Sequence, residues 1–141
     1  MSSGWAPGDL SSEEIDDGEA YHRALYPTGD VEAPSSWHRD SVGPLIDLAL
    51  PHITDGSVIV DYGTGTGASA IELLKKLDDE EIRVEMILVD PLVSWFSKAR
   101  DLLGDRDDVH FELSIRTDAD GIASFRDLRE ILGGRKADVI I

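Results

Sequence analysis

Solid runs of apolar, β-branched residues recur along the chain, each ending at a polar or acidic position. Val58 to Val60 are three such residues in a row, and the run closes on Asp61. Strands covered on both faces read this way, as in a parallel sheet, whereas a strand with one wet face alternates. Arg83 to Val89 rises to a second run, MILV, closing on Asp90, and Ala137 to Ile141 (ADVII) begins another. Between these two, Val109, Phe111, Leu113 and Ile115 alternate with His110, Glu112, Ser114 and Arg116. This alternation predicts a strand at the rim of the sheet.

Helical spacing fills the gaps. Ser35 or Ser36 caps a helix whose face carries Val42, Leu45, Ile46, Ala49 and Leu50, with Gly43 and Pro44 interrupting it and Pro51 closing it. Ala68 to Leu77 is amphipathic, and Leu92, Phe96, Ala99 and Leu103 share a face with Trp95 alongside, ended by Gly104. Ser124 with Asp127 has the form of a capping box opening a helix through Phe125, Leu128, Ile131 and Leu132, stopped by Gly133 and Gly134. The succession predicts an α/β protein, a Rossmann-like doubly wound sheet in the order 3-2-1-4. Because the sequence stops inside the fourth strand, one edge is left open. The expectation is a fold truncated after strand 4, the first half of a longer protein, or else self-association or a partner through the strand ending at Ile141.

Residues 1–34 read differently. They are rich in Ser, Gly, Asp and Glu with sparse apolar residues, so they are expected to form a mobile acidic segment ahead of a domain spanning 35–141. Tyr21, Leu25 and Tyr26 are its docking candidates. Surface packing is the plainer role for them, and a lid the alternative.

Charge narrows the partners. Twenty-nine acids against thirteen bases leave a net charge of −16, which repels nucleic acid and anionic membranes. Asp outnumbers Glu and Arg outnumbers Lys, a bias expected of proteins working in high salt, with an ordinary acidic protein as the alternative. The chain has no cysteine, and His22, His38, His52 and His110 lack ligand spacing, so no metal site is expected. Neither a membrane-spanning run nor a secretory signal is legible, which makes the cytoplasm the default location.

The candidate chemistry sits where the first strand meets the following helix, in DYGTGTG, Asp61 to Gly67. Glycine opens positive φ and lets a ligand lie against bare backbone, and amides at a helix N-terminus favour an anionic group. An acid two residues before the first glycine is of little use to a pyrophosphate. It suits a ligand carrying an ammonium group.

DYGTGTG resembles motif I of the class I S-adenosylmethionine-dependent methyltransferases, an acid followed by three alternating glycines. The resemblance implies S-adenosylmethionine as cofactor, with Asp61, Gly63, Gly65 and Gly67 around its methionine end. It also implies an acid at the end of the second strand on the ribose, here Asp90, and a bulky residue against the adenine, here Leu92. Asp90 followed by Pro91 is equally a helix start, but the spacing from the glycine turn favours the ribose role. The family's acid near the end of the third strand is missing, since Ser114 and Ile115 stand there. Asp118 or Asp120 substitutes for it, or backbone suffices, or both are turn residues.

The expected activity is methyl transfer to a small-molecule acceptor, with no catalytic base assigned. Two rivals remain. GTGTGA also satisfies a dinucleotide fingerprint, which would make the chain an NAD(P)-dependent oxidoreductase. The other is a noncatalytic nucleotide-binding or interaction module.

Overall fold

A computed structural model describes residues 18–91 and 93–141. Helix α1 (Gly18–Leu25) leads through a turn to α2 (Ser36–Ala49), which is capped by the Ser35 hydroxyl accepting from the His38 amide at 3.1 Å. Pro44 does not interrupt α2. Its missing N–H falls on the exposed side, where water can satisfy the Asp40 carbonyl.

There follow β1 (Val58–Tyr62), α3 (Ala68–Asp79), β2 (Glu85–Asp90), α4 (Val93–Leu103) and β3 (Val109–Leu113). A hairpin of β4 (Ile115–Thr117) and β5 (Ala123–Phe125), a short α5 (Leu128–Leu132) and β6 (Val139–Ile140) complete the described chain. The main sheet is parallel and runs β3-β2-β1-β6. Every strand therefore ends at the same edge, which brings Asp61 on β1 and Asp90 on β2 to one rim.

The apolar runs are explained by coverage on two faces. Ile59, Met86 and Leu88 point into the larger core with Ile46 of α2, Leu73 and Leu77 of α3 and Phe96 of α4. Their neighbours Val60, Ile87 and Val89 point the other way, onto Ile131 of α5. All six strand residues are fully buried, each worth about 1.5–3 kcal/mol relative to exposure. Tyr26 and Leu25 also lie in the larger core, so the N-terminal segment docks from α1 onward. Tyr26 donates to Glu72 of α3 at 2.6 Å, and its hydroxyl is pushed well above the usual tyrosine range, by burial first and then by Glu72.

Two local expectations are corrected. The alternation from Val109 to Arg116 is not one strand, because β3 stops at Leu113. Ser114 is buried there, donating its amide to the Asp90 carbonyl and accepting from the Arg126 amide, which turns the chain out of the sheet. The capping box at Ser124 does not form either. Ser124 pairs with Arg116 inside the hairpin, while the Asp127 carboxylate caps α5 by accepting from Arg129 at 2.8 Å.

Among the described residues β6 pairs only with β1, and Ile140 is exposed. No described helix is long and apolar enough to cross a membrane.

Candidate functional site

The bend after β1 has the conformation its glycines predict, but its parts serve different ends. Gly63, Gly65 and Gly67 all have positive φ, at 85°, 59° and 83°. Over Gly63 there is open space. A Cβ on Gly65 would lie 3.3 Å from the Trp95 ring and 3.6 Å from that of Tyr21, and one on Gly67 would lie 3.2 Å from the Ala99 Cβ. The second and third glycines thus admit the protein's own packing, and only the first leaves its approach free. Gly67→Ala is expected to lower stability by about 1–2 kcal/mol from the left-handed backbone, before any displacement of α4, and a thermal melt shifted down by several degrees checks this.

The amides are also largely engaged. Gly63 and Thr64 both donate to the Val89 carbonyl, at 2.7 and 2.9 Å, and Gly67 donates to the Thr64 carbonyl. Gly65 donates to the Asp90 carboxylate at 2.8 Å. The expectation that these amides present a free anion seat is therefore corrected. A bend this tight at the end of a parallel sheet satisfies these donors on the end of β2 and, for Gly67, within the bend itself.

What the rim does offer is negative charge. Asp61 is buried at the end of β1 and accepts from the Thr64 hydroxyl at 2.8 Å. Burial pushes its pKa up to about 6, the Thr64 hydrogen bond pulls it down, and the charge of Asp90 pushes it up again. Among the described residues no Lys or Arg forms an ion pair with Asp61. Asp90, equally buried, faces it from the end of β2. The charge of Asp90, which accepts from the Gly65 amide, adds to the cost of ionising Asp61.

The space above the bend is bounded by α1, where Tyr21 is the lid alternative, and by α2, on which no site residue is expected. A cleft of about 150 Å³ lies between Tyr21 of α1, Trp37 and Ser41 of α2, and Gly63, Thr64 and Ser69. A smaller cavity of about 60 Å³ reaches Asp61 from beside Leu45 and Ile141. Tyr21 stacks on Trp95 with ring centroids 4.2 Å apart and planes inclined by 28°. Burial raises the Tyr21 hydroxyl pKa, and the charges of Asp90 and Asp61 add to it. The signal for Trp37 and Ser41 was their spacing of four on α2, which puts them on one helix face.

Other predicted positions lie elsewhere. Leu92 falls outside the described residues. Asp118 accepts from the amides of Asp120 and Ile122 and so shapes the hairpin turn, with Asp120 exposed at its tip. A larger hollow, about 560 Å³, opens at the opposite edge of the sheet beside Arg106, which is pinned by Asp78 and Asp108. It is remote from the bend. No described cluster of three or more His, Asp or Glu has the arrangement of a metal site.

Comparison with known protein families finds no family model that matches, and comparison with curated proteins finds no match either. Among solved structures, that of a DszA carbon methyltransferase is similar over 84% of this chain, at 17% identity and a TM-score of 0.43. The chain spans 31% of that protein's length. A likeness so distant carries no argument about activity, and the reading of the site stands on its own geometry.

Proposed function

We propose that the rim formed by Asp61, Gly63 and Asp90 binds S-adenosylmethionine and that the protein transfers its methyl group to a small-molecule acceptor. The observation that carries this is Asp61: a buried carboxylate, without a cationic partner among the described residues, beside the one glycine of the bend whose approach is open. An ammonium group placed there removes the repulsion between Asp61 and Asp90 and is itself shielded from water. S-adenosylmethionine, when bound, supplies an electrophilic methyl group, so the protein's work is orientation and exclusion of water.

In this reading Asp61 holds the amino group of the methionine end, and the Thr64 hydroxyl keeps the carboxylate in place. Gly63 lets the ligand backbone approach. Asp90, held by the Gly65 amide, accepts from the ribose hydroxyls. Gly65 and Gly67 support the site by letting α1 and α4 close on the bend, and Leu92, two residues after Asp90 in the sequence, is assigned to the adenine. Trp37 and Ser41 border the cleft from which an acceptor approaches. No general base is assigned among the described residues.

Calorimetric titration with S-adenosylhomocysteine, and separately with NADH, tests the proposal. Saturable binding of the first, lost in Gly63→Val, is expected. Tight NADH binding with no response to the sulfur nucleosides would replace this reading by the oxidoreductase one.

A further inference from the structure

The wall of the cleft above the bend carries a histidine whose hydrogen is placed by its neighbours. His38 stands in the first turn of α2, is buried, and lines the cleft of about 150 Å³ together with Val42 and Leu45 of the same helix. Its Nε2 lies 3.3 Å from the Tyr26 hydroxyl oxygen. Tyr26 has a single proton to give, and it donates to Glu72 of α3 at 2.6 Å, with the Ala68 carbonyl a more distant acceptor at 3.4 Å. The other oxygen of Glu72 pairs with the Lys75 ammonium at 3.0 Å, so Glu72 accepts from both sides. The Tyr26 oxygen is left to accept in its turn, which puts the hydrogen of a neutral His38 on Nε2 and the lone pair on Nδ1. Burial, the largest influence, lowers the His38 pKa; the charge of Glu72 and the Ala68 carbonyl raise it, and the charge of Lys75 lowers it again. The net direction is down, so the neutral ring prevails at pH 7.

We infer that the cleft seats a phenol, a single aromatic ring whose hydroxyl donates to His38 Nδ1 while the ring lies along Val42 and Leu45 toward Trp37. Its volume suits one benzene-sized ring. Trp37 lines the same cleft and is half-exposed, which gives the ligand an aromatic neighbour as well as aliphatic ones. An anion is disfavoured there: beyond the effect of burial, the charges of Asp90 and Asp61 already push up the pKa of the Tyr21 hydroxyl on the opposite wall. The phenol therefore enters protonated and without a carboxylate. Tyr26 and Glu72 are positioning residues, acting on the ligand only through the tautomer of His38. The inference names the class of the methyl acceptor and rests on the proposed function for that role alone; the seat itself is tested without any sulfur nucleoside.

Two measurements decide it. In the first, the unmodified chain is titrated with p-cresol, toluene and p-hydroxybenzoate by calorimetry, and the ring nitrogens of His38 are followed by NMR. Saturable binding of p-cresol is expected, about threefold to tenfold tighter than that of toluene for one net hydrogen bond, with p-hydroxybenzoate the weaker of the two phenols. In the free protein Nε2 is the protonated nitrogen and Nδ1 the bare one, and p-cresol shifts the Nδ1 signal toward the protonated type. No binding of p-cresol, toluene bound as tightly, p-hydroxybenzoate bound more tightly, or an Nδ1 that is protonated at the start or unmoved by p-cresol overturns the inference.

The second is Tyr26→Phe, which keeps the ring and removes the hydroxyl that selects the tautomer. His38 then populates both tautomers, and p-cresol affinity falls about twofold, as for a seat competent half the time, with toluene affinity unchanged. An equal loss for both ligands, or a tautomer that does not change, overturns the positioning role. Should this variant fail to fold, the titrations of the unmodified chain still decide the seat. The failures separate: S-adenosylhomocysteine bound without p-cresol removes the phenol and leaves the proposed function, whereas p-cresol bound as described without S-adenosylhomocysteine leaves the seat and removes the methyl transfer.

Discussion

Leu88→Ala is expected to lower the free energy of unfolding by about 2–5 kcal/mol, the range for a fully buried leucine cut back to alanine. Leu88 lies on β2, which has β1 on one side and β3 on the other, and its side chain is completely buried in the larger core. The loss combines the transfer of the removed methyl and methylene groups with the void they leave, which close-packed neighbours on both strands cannot fill. A domain of ordinary stability has only about 5–15 kcal/mol to lose. Leu48→Ala is the control, because Leu48 is 72% exposed on α2 and its truncation should stay within about 0.5 kcal/mol. Urea denaturation of both variants, with unchanged slopes, checks the pair. A loss below about 1 kcal/mol at Leu88 would mean that β2 is not the centre of the sheet.

Asp61→Asn is expected to move binding and stability in opposite directions. With its pKa raised by burial to about 6, the folded protein holds the Asp61 proton more tightly than the unfolded chain does. As pH rises from about 4 to about 6 the unfolded state releases that proton first, so Asp61 lowers stability through this window and levels off above it. The destabilisation at neutral pH is of order 3 kcal/mol for a shift of this size. Asparagine removes it and keeps an acceptor for the Thr64 hydroxyl. At pH 7 the variant should therefore melt higher than wild type, with the difference vanishing near pH 4.

Ligand binding runs the other way. If the ionised carboxylate holds the ammonium group, wild-type affinity for S-adenosylhomocysteine falls as pH drops through about 6, approaching tenfold for each further unit, while the variant binds at least tenfold more weakly at pH 7 and shows a flat profile. Calorimetry at pH 5, 6, 7 and 8 reads both. A variant that is more stable yet binds as well as wild type would remove Asp61 from the site.

How far the chain was legible depended on whether an element is defined by its own residues or by its neighbours. The runs at Val58 and Met86 were readable because each residue in them is buried on one face or the other, a property of composition alone. The Ser35 cap was readable because the donor it serves is three residues away. The hairpin at 115–125 was not, because Ser114 breaks the alternation only through its bonds to Asp90 and Arg126, far away in sequence or across the hairpin. Nor was the docking of α1, whose polar look from Gly18 to Ala24 hides an anchor at Leu25 and Tyr26.

The same division runs through the site. Residue order alone places an acid and a glycine bend at the end of one buried strand and a second acid at the end of the next, since local spacing and the apolar runs of a parallel sheet are enough to put them on a common rim. Tertiary structure alone decided which glycine faces open space, which amides are already engaged, and that Tyr21 lies over Gly65. These are matters of what packs against a bare backbone, and packing partners distant along the chain leave no local mark.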